Sequence, residues 1–197
     1  MYLCTIIVKY YEAIMDTQEI NEITVQIQNP STRNAAFTKL VRELSKPLYW
    51  HIRKMVLTHE DADDVMQNTF MKAWKALDKF RGESQINTWI YRIATNEALT
   101  FLAQQRMKNV VSSLEMEDLL IQNLEADSYF SGDEAQKKLQ EAILQLPEKQ
   151  RLVFNMKYFS EMKYEEMSEI LGTSVGALKA SYHHAVKKIE AFLTGSN

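Results

Sequence analysis

The chain has 197 residues, of which 46% are hydrophobic and 25% are charged, and its formal net charge at pH 7 is −3. This length allows one ordinary domain or two small ones. The only cysteine, Cys4, excludes an internal disulfide and suits a reducing compartment. No apolar run approaches the roughly 20 residues of a membrane-spanning helix. With five Gly, three Pro and apolar residues recurring every three or four positions, the sequence predicts an all-α protein.

The charge is unevenly distributed along the chain. Residues 35–109 carry a net charge of +4, residues 110–133 carry −6, and residues 134–197 carry +1. A free-standing DNA-binding protein usually has a stronger basic patch than this. One interpretation is weak autonomous DNA binding that a larger partner strengthens. The other is an ordinary globular protein with an acidic linker.

Residues 1–30 are predicted to form an N-terminal extension. Its first 14 residues lack the features of a signal peptide, and we expect either an upstream extension of the gene model or a small docking strand. Residues 16–30 are polar with little pattern and end in a turn signal, Asn29-Pro30. Ser31 is the predicted N-cap of the helical pattern that follows.

A first helical domain is predicted over residues 31–109. Pro47 interrupts its first apolar stripe, so that it either kinks one long helix or separates two. Two more helices follow within residues 60–107. The apolar residues predicted to face the core in the earlier helix are Ala62, Met66, Phe70, Ala73 and Leu77. Those of the later helix are Ile86, Trp89 or Ile90, Ile93, Ala94, Ala98, Phe101 and Leu102.

A short polar turn from Phe80 to Ser84 joins these two helices. Gly82 allows a tight bend, and Ser84 is the predicted N-cap of the later helix. Trp74 and Trp89 belong to or border the apolar stripes, which favours core packing. A stacking role for Trp89 requires it to lie at the surface. Thr95 is predicted to lie on the outer, polar face.

Residues 110–133 have no sustained pattern and are predicted to be an acidic linker. A second helical domain is predicted over residues 134–197. Its last two helices are joined by a Gly-containing turn, and Ser174 caps the final one, which is a helix-turn-helix pattern. Bare patterns of this kind give many false positives. The side chains that leave the buried stripe of the final helix include Gly176, Ala177, Lys179, Ala180, Ser181, His183, His184, Lys187 and Lys188.

The stretches DADDVMQNTFMKAWKALDKF, FRGES and TWIYRIATN resemble region two of bacterial RNA polymerase sigma factors. LPEKQRLVFNMKYFSEMKYEEMSEILGTSVGALKASYHHAVKKI is similar to region four of the same family. The order, two then four with nothing comparable to region three between them, is that of the extracytoplasmic-function group. The resemblance implies a sigma region 2 helical bundle and a sigma region 4 helix-turn-helix domain.

The resemblance also implies partners and site residues. The β′ subunit of the polymerase core would dock on Asp64, Gln67, Asn68 and Met71. The promoter minus-ten element would be opened and held by Phe80, Arg81, Ser84, Asn87, Trp89, Arg92 and Asn96. The minus-thirty-five element would contact Ser174, Gly176, Ala177, Lys179, Ser181, His183, His184 and Lys187, and the same region would bind the β subunit. Family members often carry arginines where this chain has Ala180, Ser181, His183 and His184, which implies a different minus-thirty-five sequence.

The first function predicted is therefore a cytoplasmic sigma factor, held inactive by an anti-sigma protein until released. It would need no cofactor or metal. The alternative is a stand-alone helix-turn-helix regulator that binds duplex DNA without polymerase. An enzyme is disfavoured because no phosphate loop, HExxH motif or nucleophile elbow is present. Phosphate contacts from Lys72, Lys75, Lys79, Arg81, Arg92 and Arg106 would make DNA binding salt-dependent.

Overall fold

The computed structural model describes residues 17–56, 58–82, 84–108 and 134–195. The expectations for residues 1–14 and for the linker at 110–133 lie outside these residues, as does the side chain of Arg106. The described chain is helical, with no strand in any of the four ranges. Within them, no helix combines the length and the apolar character needed to cross a membrane.

Two groups of helices make up the described chain. The first unit contains α1 (Thr17–Gln28), α2 (Arg33–Arg53), α3 (His59–Ala76), a 3₁₀ turn (Leu77–Lys79) and α4 (Ile86–Lys108). The second unit contains α5 (Glu134–Leu144), α6 (Glu148–Phe154), a π-helical turn (Asn155–Phe159), α7 (Tyr164–Leu171) and α8 (Val175–Thr194). The prediction of an all-α fold with two helical units is confirmed.

Helix α1 corrects the interpretation of residues 16–30 as patternless. Ile20, Ile23 and Ile27 follow one another at helical spacing and are buried in the core of the first unit. Only these three isoleucines face inward, and polar residues occupy most of the remaining positions. The apolar stripe is therefore one residue wide, which is why composition concealed it.

Helix α2 runs through Pro47 without a break, so the single-helix alternative is the correct one. The prediction that Ser31 caps this helix is wrong. Thr32 precedes the helix, whereas the backbone N–H and the hydroxyl of Ser31 both donate to the side-chain oxygen of Asn29. Ser31 thus stabilises the turn between α1 and α2 instead of the helix end.

Helix α3 begins with a capping box. The Asp61 N–H donates to the Thr58 hydroxyl, and the Thr58 N–H donates to the Asp61 carboxylate. These bonds satisfy two backbone donors at the helix start, where the acidic residues also favour the helix dipole. Ala62, Ala73 and the adjoining Leu77 are buried as the stripe predicts.

Helix α4 is the central helix of the first unit and buries its predicted stripe through Ile86, Ile90, Ala94, Ala98 and Leu102. Of the alternatives at one position, Ile90 is fully buried and Trp89 is half-buried. The prediction that Thr95 lies on an outer face is wrong. Its side chain is fully buried, and its hydroxyl shares a hydrogen bond with the His51 ring on α2 of the same unit.

The helix-turn-helix of the second unit consists of α7 and α8. Gly172 ends α7 with φ of +61°, a left-handed conformation that glycine adopts without strain. Ser174 caps α8 as predicted, since its hydroxyl accepts the Ala177 N–H at 3.3 Å. The α8 side chains that pack inward are Leu178, Ala185 and Ile189.

The two units pack against each other in this structure. Met156, Met167 and Ile170 of the second unit are buried in the same apolar cluster as the α1–α4 core. At one edge, the Asn155 side-chain amide donates to the Lys54 carbonyl oxygen at 3.4 Å, and the Lys54 ammonium lies 4.1 Å from the centre of the Phe159 ring. Residues around the α2–α3 connection therefore contact the π-helical turn.

Truncating Ile23 on α1 to alanine should lower the free energy of unfolding by about 2–5 kcal/mol, because the side chain is fully buried and its removal leaves a cavity. Urea unfolding followed by far-UV circular dichroism measures this loss. The control is Val25→Ala on the same helix, where 67% of the residue is exposed and we expect a change of no more than about 0.5 kcal/mol. Equal effects of the two substitutions would contradict the packing of α1.

Candidate nucleic-acid and protein interfaces

One exposed face of α3 carries the four residues assigned to polymerase docking. Asp64, Gln67, Asn68 and Met71 are all exposed, and they recur at helical spacing on one side of the helix. Trp74 continues this face one turn further. The prediction that Trp74 fills the core is wrong, because 42% of the residue is exposed.

Trp74 is the residue of this face that the sequence did not assign. One part of its ring packs on Phe37, with ring centres 5.0 Å apart, and the rest faces solvent. An exposed tryptophan beside an exposed methionine is typical of a protein interface, because large aromatic and flexible apolar side chains dominate the energetics of such surfaces. Its position three residues after Met71 places it on the same helix face, and this spacing could have identified it from the sequence.

The turn between α3 and α4 divides into a buried base and an exposed tip. Phe80 is 9% exposed, and its ring centre lies 5.1 Å from that of Trp89. Arg81 and Gly82 are exposed, and Gly82 has φ of +73° as a tight bend requires. In this structure Phe80 therefore packs against Trp89 and has little exposed ring surface, and its role in holding the minus-ten element stays a prediction.

The start of α4 differs from the prediction in one detail. The helix begins at Ile86, and the Trp89 N–H donates to the Gln85 carbonyl oxygen, so Gln85 and not Ser84 occupies the position before the helix. Ser84, Asn87 and Trp89 are half-buried, whereas Arg92 and Asn96 are exposed further along the helix. The exposed residues therefore lie at the tip of the turn and further along α4, with half-buried residues between them in the sequence.

One cation predicted to contact phosphate is already paired. The Lys72 ammonium on α3 lies 2.5 Å from a Glu97 carboxylate oxygen on α4, which joins the two helices. Lys75, Lys79, Arg81 and Arg92 are exposed and remain candidates for phosphate contacts. The pairing makes Lys72 the weakest of these candidates, because binding a phosphate would compete with Glu97.

Helix α8 presents the candidate minus-thirty-five residues on its solvent side. The exposed members are Ser174, Gly176, Ala177, Lys179, His183, His184 and Lys187, while Ser181 is half-buried. The small residues lie in the first turn, where a recognition helix approaches base edges most closely. The Lys179 ammonium lies 5.6 Å from the centre of the Tyr164 ring on α7, which places a cation beside the helix-turn-helix.

Two titratable groups of the first unit, the buried His51 and the partly buried Lys54, have lowered pKa values. Burial, reinforced by the charge of Lys54, lowers the pKa of His51 to about 3, so the imidazole is neutral at pH 7. The His51 ring shares a hydrogen bond of 3.0 Å with the Thr95 hydroxyl and thereby joins α2 to α4. Burial also lowers the pKa of Lys54 from 10.5 to about 7.

Comparisons with known proteins cover both units. The sigma-70 region 2 family model matches residues 40–107, and the sigma-70 region 4 family model matches residues 136–189. The RNA polymerase sigma-H factor of Pseudomonas aeruginosa is 29% identical over 196 residues, which is 91% of this chain and 96% of that protein. The ECF RNA polymerase sigma-E factor of Salmonella typhimurium is 30% identical over 145 residues, which is 66% of this chain and 72% of that protein.

A solved structure shows the same fold. The sigma factor RpoE of Bartonella quintana, determined in complex with the anti-sigma factor NepR, superimposes with a TM-score of 0.60 and 23% sequence identity. The match covers 82% of this chain and 98% of that chain. The fold is therefore shared over most of this chain with that structure.

The packing of the two units should strengthen as pH rises from about 7 to about 10.5. The packed state lowers the pKa of Lys54 to about 7, so in this window it binds fewer protons than a state that exposes the amine, and raising pH favours it. Below pH 7 the amine is charged in both states and the gain is lost. Small-angle X-ray scattering at pH 6.5, 8 and 9.5 should show a growing compact fraction.

The control for this pH series is Lys54→Met, which keeps the length of the side chain and removes its charge. We expect the variant to be compact at all three pH values. A variant that retained the pH dependence of the wild type would contradict the assignment to Lys54.

Proposed function

Because the chain belongs to the sigma-70 family of RNA polymerase sigma factors, extracytoplasmic-function type, we propose that it binds the polymerase core and directs it to promoters. One observation carries this proposal beyond family membership: residues of all three implied contact surfaces are exposed in a single fold that presents both units. The sigma-factor relatives favour this function over the stand-alone regulator. We assign no catalytic step to the chain.

The exposed face of α3 is the proposed site for the β′ subunit of the core. Asp64 supplies negative charge, Gln67 and Asn68 supply hydrogen-bonding groups, and Met71 with Trp74 supplies apolar surface. Such a mixture of a central apolar contact and a polar surround is typical of a specific protein interface. Because α3 is held by a capping box and a buried stripe, its exposed residues are presented on a rigid element.

The turn before α4 is the proposed site of minus-ten opening. Arg81 and Arg92 are exposed cations placed to contact phosphates, and Asn87 and Asn96 carry amides that can hydrogen-bond to base edges. Trp89 is half-buried on Phe80 and keeps part of its ring at the surface, where an unstacked base can pack. Stacking on protein compensates for the base stacking lost when the strands separate.

The outer face of α8 is the proposed contact with the minus-thirty-five duplex, with the same unit contacting the β subunit. Lys179 and Lys187 are placed for phosphates, and Ser181 with His184 for base edges. The resemblance to the sigma family implies several arginines along this helix, where this chain has Ala180, Ser181, His183 and His184. Arginine makes the commonest specific contact with guanine. We therefore propose that few guanines of this promoter element are recognised by arginine side chains.

The packed arrangement of the units is the proposed resting form. Two promoter elements about 25 base pairs apart are separated by roughly 85 Å at ~3.4 Å per base pair. A compact body of about 150 residues has a radius of gyration of about 15 Å. One packed body cannot reach both elements, so we infer that the units separate when the core is bound.

We also propose an anti-sigma partner and a cytoplasmic location. The partner is supported by the complex of the similar sigma factor RpoE with the anti-sigma factor NepR. The location follows from the proposed work on polymerase and DNA.

The double variant Asp64→Ala, Gln67→Ala should bind bacterial core polymerase about ten-fold more weakly than the wild type, because it removes a charge and a hydrogen-bonding amide from the polar surround of the proposed interface. Size-exclusion co-elution and fluorescence anisotropy measure this. The matched control is Glu22→Ala, Gln26→Ala, which removes the same two chemical groups from exposed positions on α1. No co-elution of the wild type, together with tight duplex binding by the protein alone, would instead favour the stand-alone regulator.

The substitution Lys179→Ala should weaken holoenzyme binding to a promoter fragment selected from a random-sequence library. It should also reduce the slope of log affinity against log salt by about 1, as expected for the loss of one phosphate contact. Lys149→Ala, an exposed lysine on α6, is the control and should leave the slope unchanged. An unchanged slope for Lys179→Ala would remove this residue from the DNA contact.

A further inference from the structure

Arg33 links two parts of the first unit that are distant in sequence. Its Nη1 atom lies 2.5 Å from a carboxylate oxygen of Asp78, in the 3₁₀ turn that leads into the proposed minus-ten turn. Its Nε donates to the Ile27 carbonyl oxygen at 3.0 Å, near the end of α1. The guanidinium therefore ties the entry of the minus-ten turn to the junction of α1 and α2.

A second contact joins the same two places. Gly82 lies in the turn with φ of +73°, and the side-chain nitrogen of Gln28, the last residue of α1, lies 3.1 Å from where a Cβ at Gly82 would stand. Gln28 thus lies directly against the backbone at the tip of the turn. Two residues at the α1–α2 junction, Gln28 and Arg33, contact the turn at its tip and at its entry.

Gln28 and Arg33, the two residues that brace the turn from the α1–α2 junction, lie outside the part of the chain that matches the region 2 family model. The region 2 match begins at residue 40, whereas α1 and the first residues of α2 precede it. The isoleucines of α1 are buried in the core, so the helix is a fixed support for the brace. Nothing in the family match therefore assigns a role to Arg33.

We propose that Arg33 is a positioning residue for promoter opening, which holds Asp78 and thereby fixes the turn that captures the unstacked minus-ten base. This inference rests on the function proposed above for that turn. A turn already held in its binding geometry loses less conformational freedom when DNA binds, so capture is faster and tighter than with a mobile turn. Arg33 acts through Asp78 and need not contact DNA.

The test uses holoenzyme reconstituted with bacterial core polymerase and a promoter fragment selected by the wild-type holoenzyme from a random-sequence library. Strand opening is followed by the fluorescence of 2-aminopurine in the minus-ten element. Arg33→Ala and Asp78→Asn should each slow opening roughly three- to five-fold, as expected for loss of one specific ion pair, with core affinity unchanged. Asp78 is 78% exposed, so its substitution leaves the fold intact.

The matched control is Lys39→Ala. Lys39 also joins α2 to α1, through an ion pair of 2.7 Å with Glu19, but it does not contact the turn. Its substitution should leave opening unchanged. The charge-exchanged double variant Arg33→Asp, Asp78→Arg should recover at least half of the lost opening rate, a rescue that a general effect on stability would not produce.

Three results would overturn the inference: wild-type opening rates in both single variants, equal slowing by Lys39→Ala, or no recovery in the exchanged variant. If wild-type holoenzyme opens no promoter, the proposed function fails. Amide hydrogen exchange in the free protein then tests separately whether Arg33 holds the turn in place. Faster exchange at Phe80, Arg81 and Gly82 in Arg33→Ala than in Lys39→Ala supports it. Equal exchange in the two variants overturns it.

Discussion

The apolar contact between α4 and α7 is the constraint on which the rest of the structure depends. It brings Met167 of α7 into the core of the first unit, where Met156 of the π-helical turn is also buried. The hydrophobic stabilisation of a domain is roughly proportional to the apolar area removed from water. Two short helical units thus share one apolar cluster, beside a second cluster within the second unit, while their proposed contact surfaces on α3 and α8 stay exposed.

Burial also governs the electrostatics of the interior, through His51 and Lys54. His51 can be neutral at little cost, and its hydrogen bond to Thr95 satisfies a ring nitrogen that would be expensive to bury alone. The environment of Lys54 is less favourable to its charged form, since its ammonium lies over the face of Phe159. A ring face attracts a cation but does not replace the hydration that burial removes. The charged form of Lys54 consequently favours separation of the two units.

The sequence predicted the helices whose apolar stripes are wide and whose caps are local. The Ser174 cap and the α4 stripe follow from neighbouring residues alone, and both are confirmed. Helix α1 escaped prediction because a stripe of three isoleucines in a polar segment becomes meaningful only when a partner surface is present. Thr95 and Trp74 were misplaced for a related reason, since burial at both sites depends on which distant helix covers them.

The candidate sites likewise include features that a local pattern predicts and features that depend on distant contacts. The exposed faces of α3 and α8 could be predicted, because in an amphipathic helix the residues that leave the buried stripe face solvent. The burial of Phe80 beneath Trp89 and the pairing of Lys72 with Glu97 depend on tertiary contacts that no local pattern encodes. Whether any of these residues contacts polymerase or DNA stays a prediction.

The methionines of the shared core have a consequence for how this protein tolerates change. Met55, Met156, Met162 and Met167 are all buried in one cluster. Unbranched thioether side chains have many low-energy shapes and fill irregular gaps. A core built in this way accommodates substitutions in a neighbouring helix by rearranging rotamers, where branched side chains would clash or leave voids. Over evolutionary time, α4 and α7 can therefore change their facing residues one at a time while the units continue to pack.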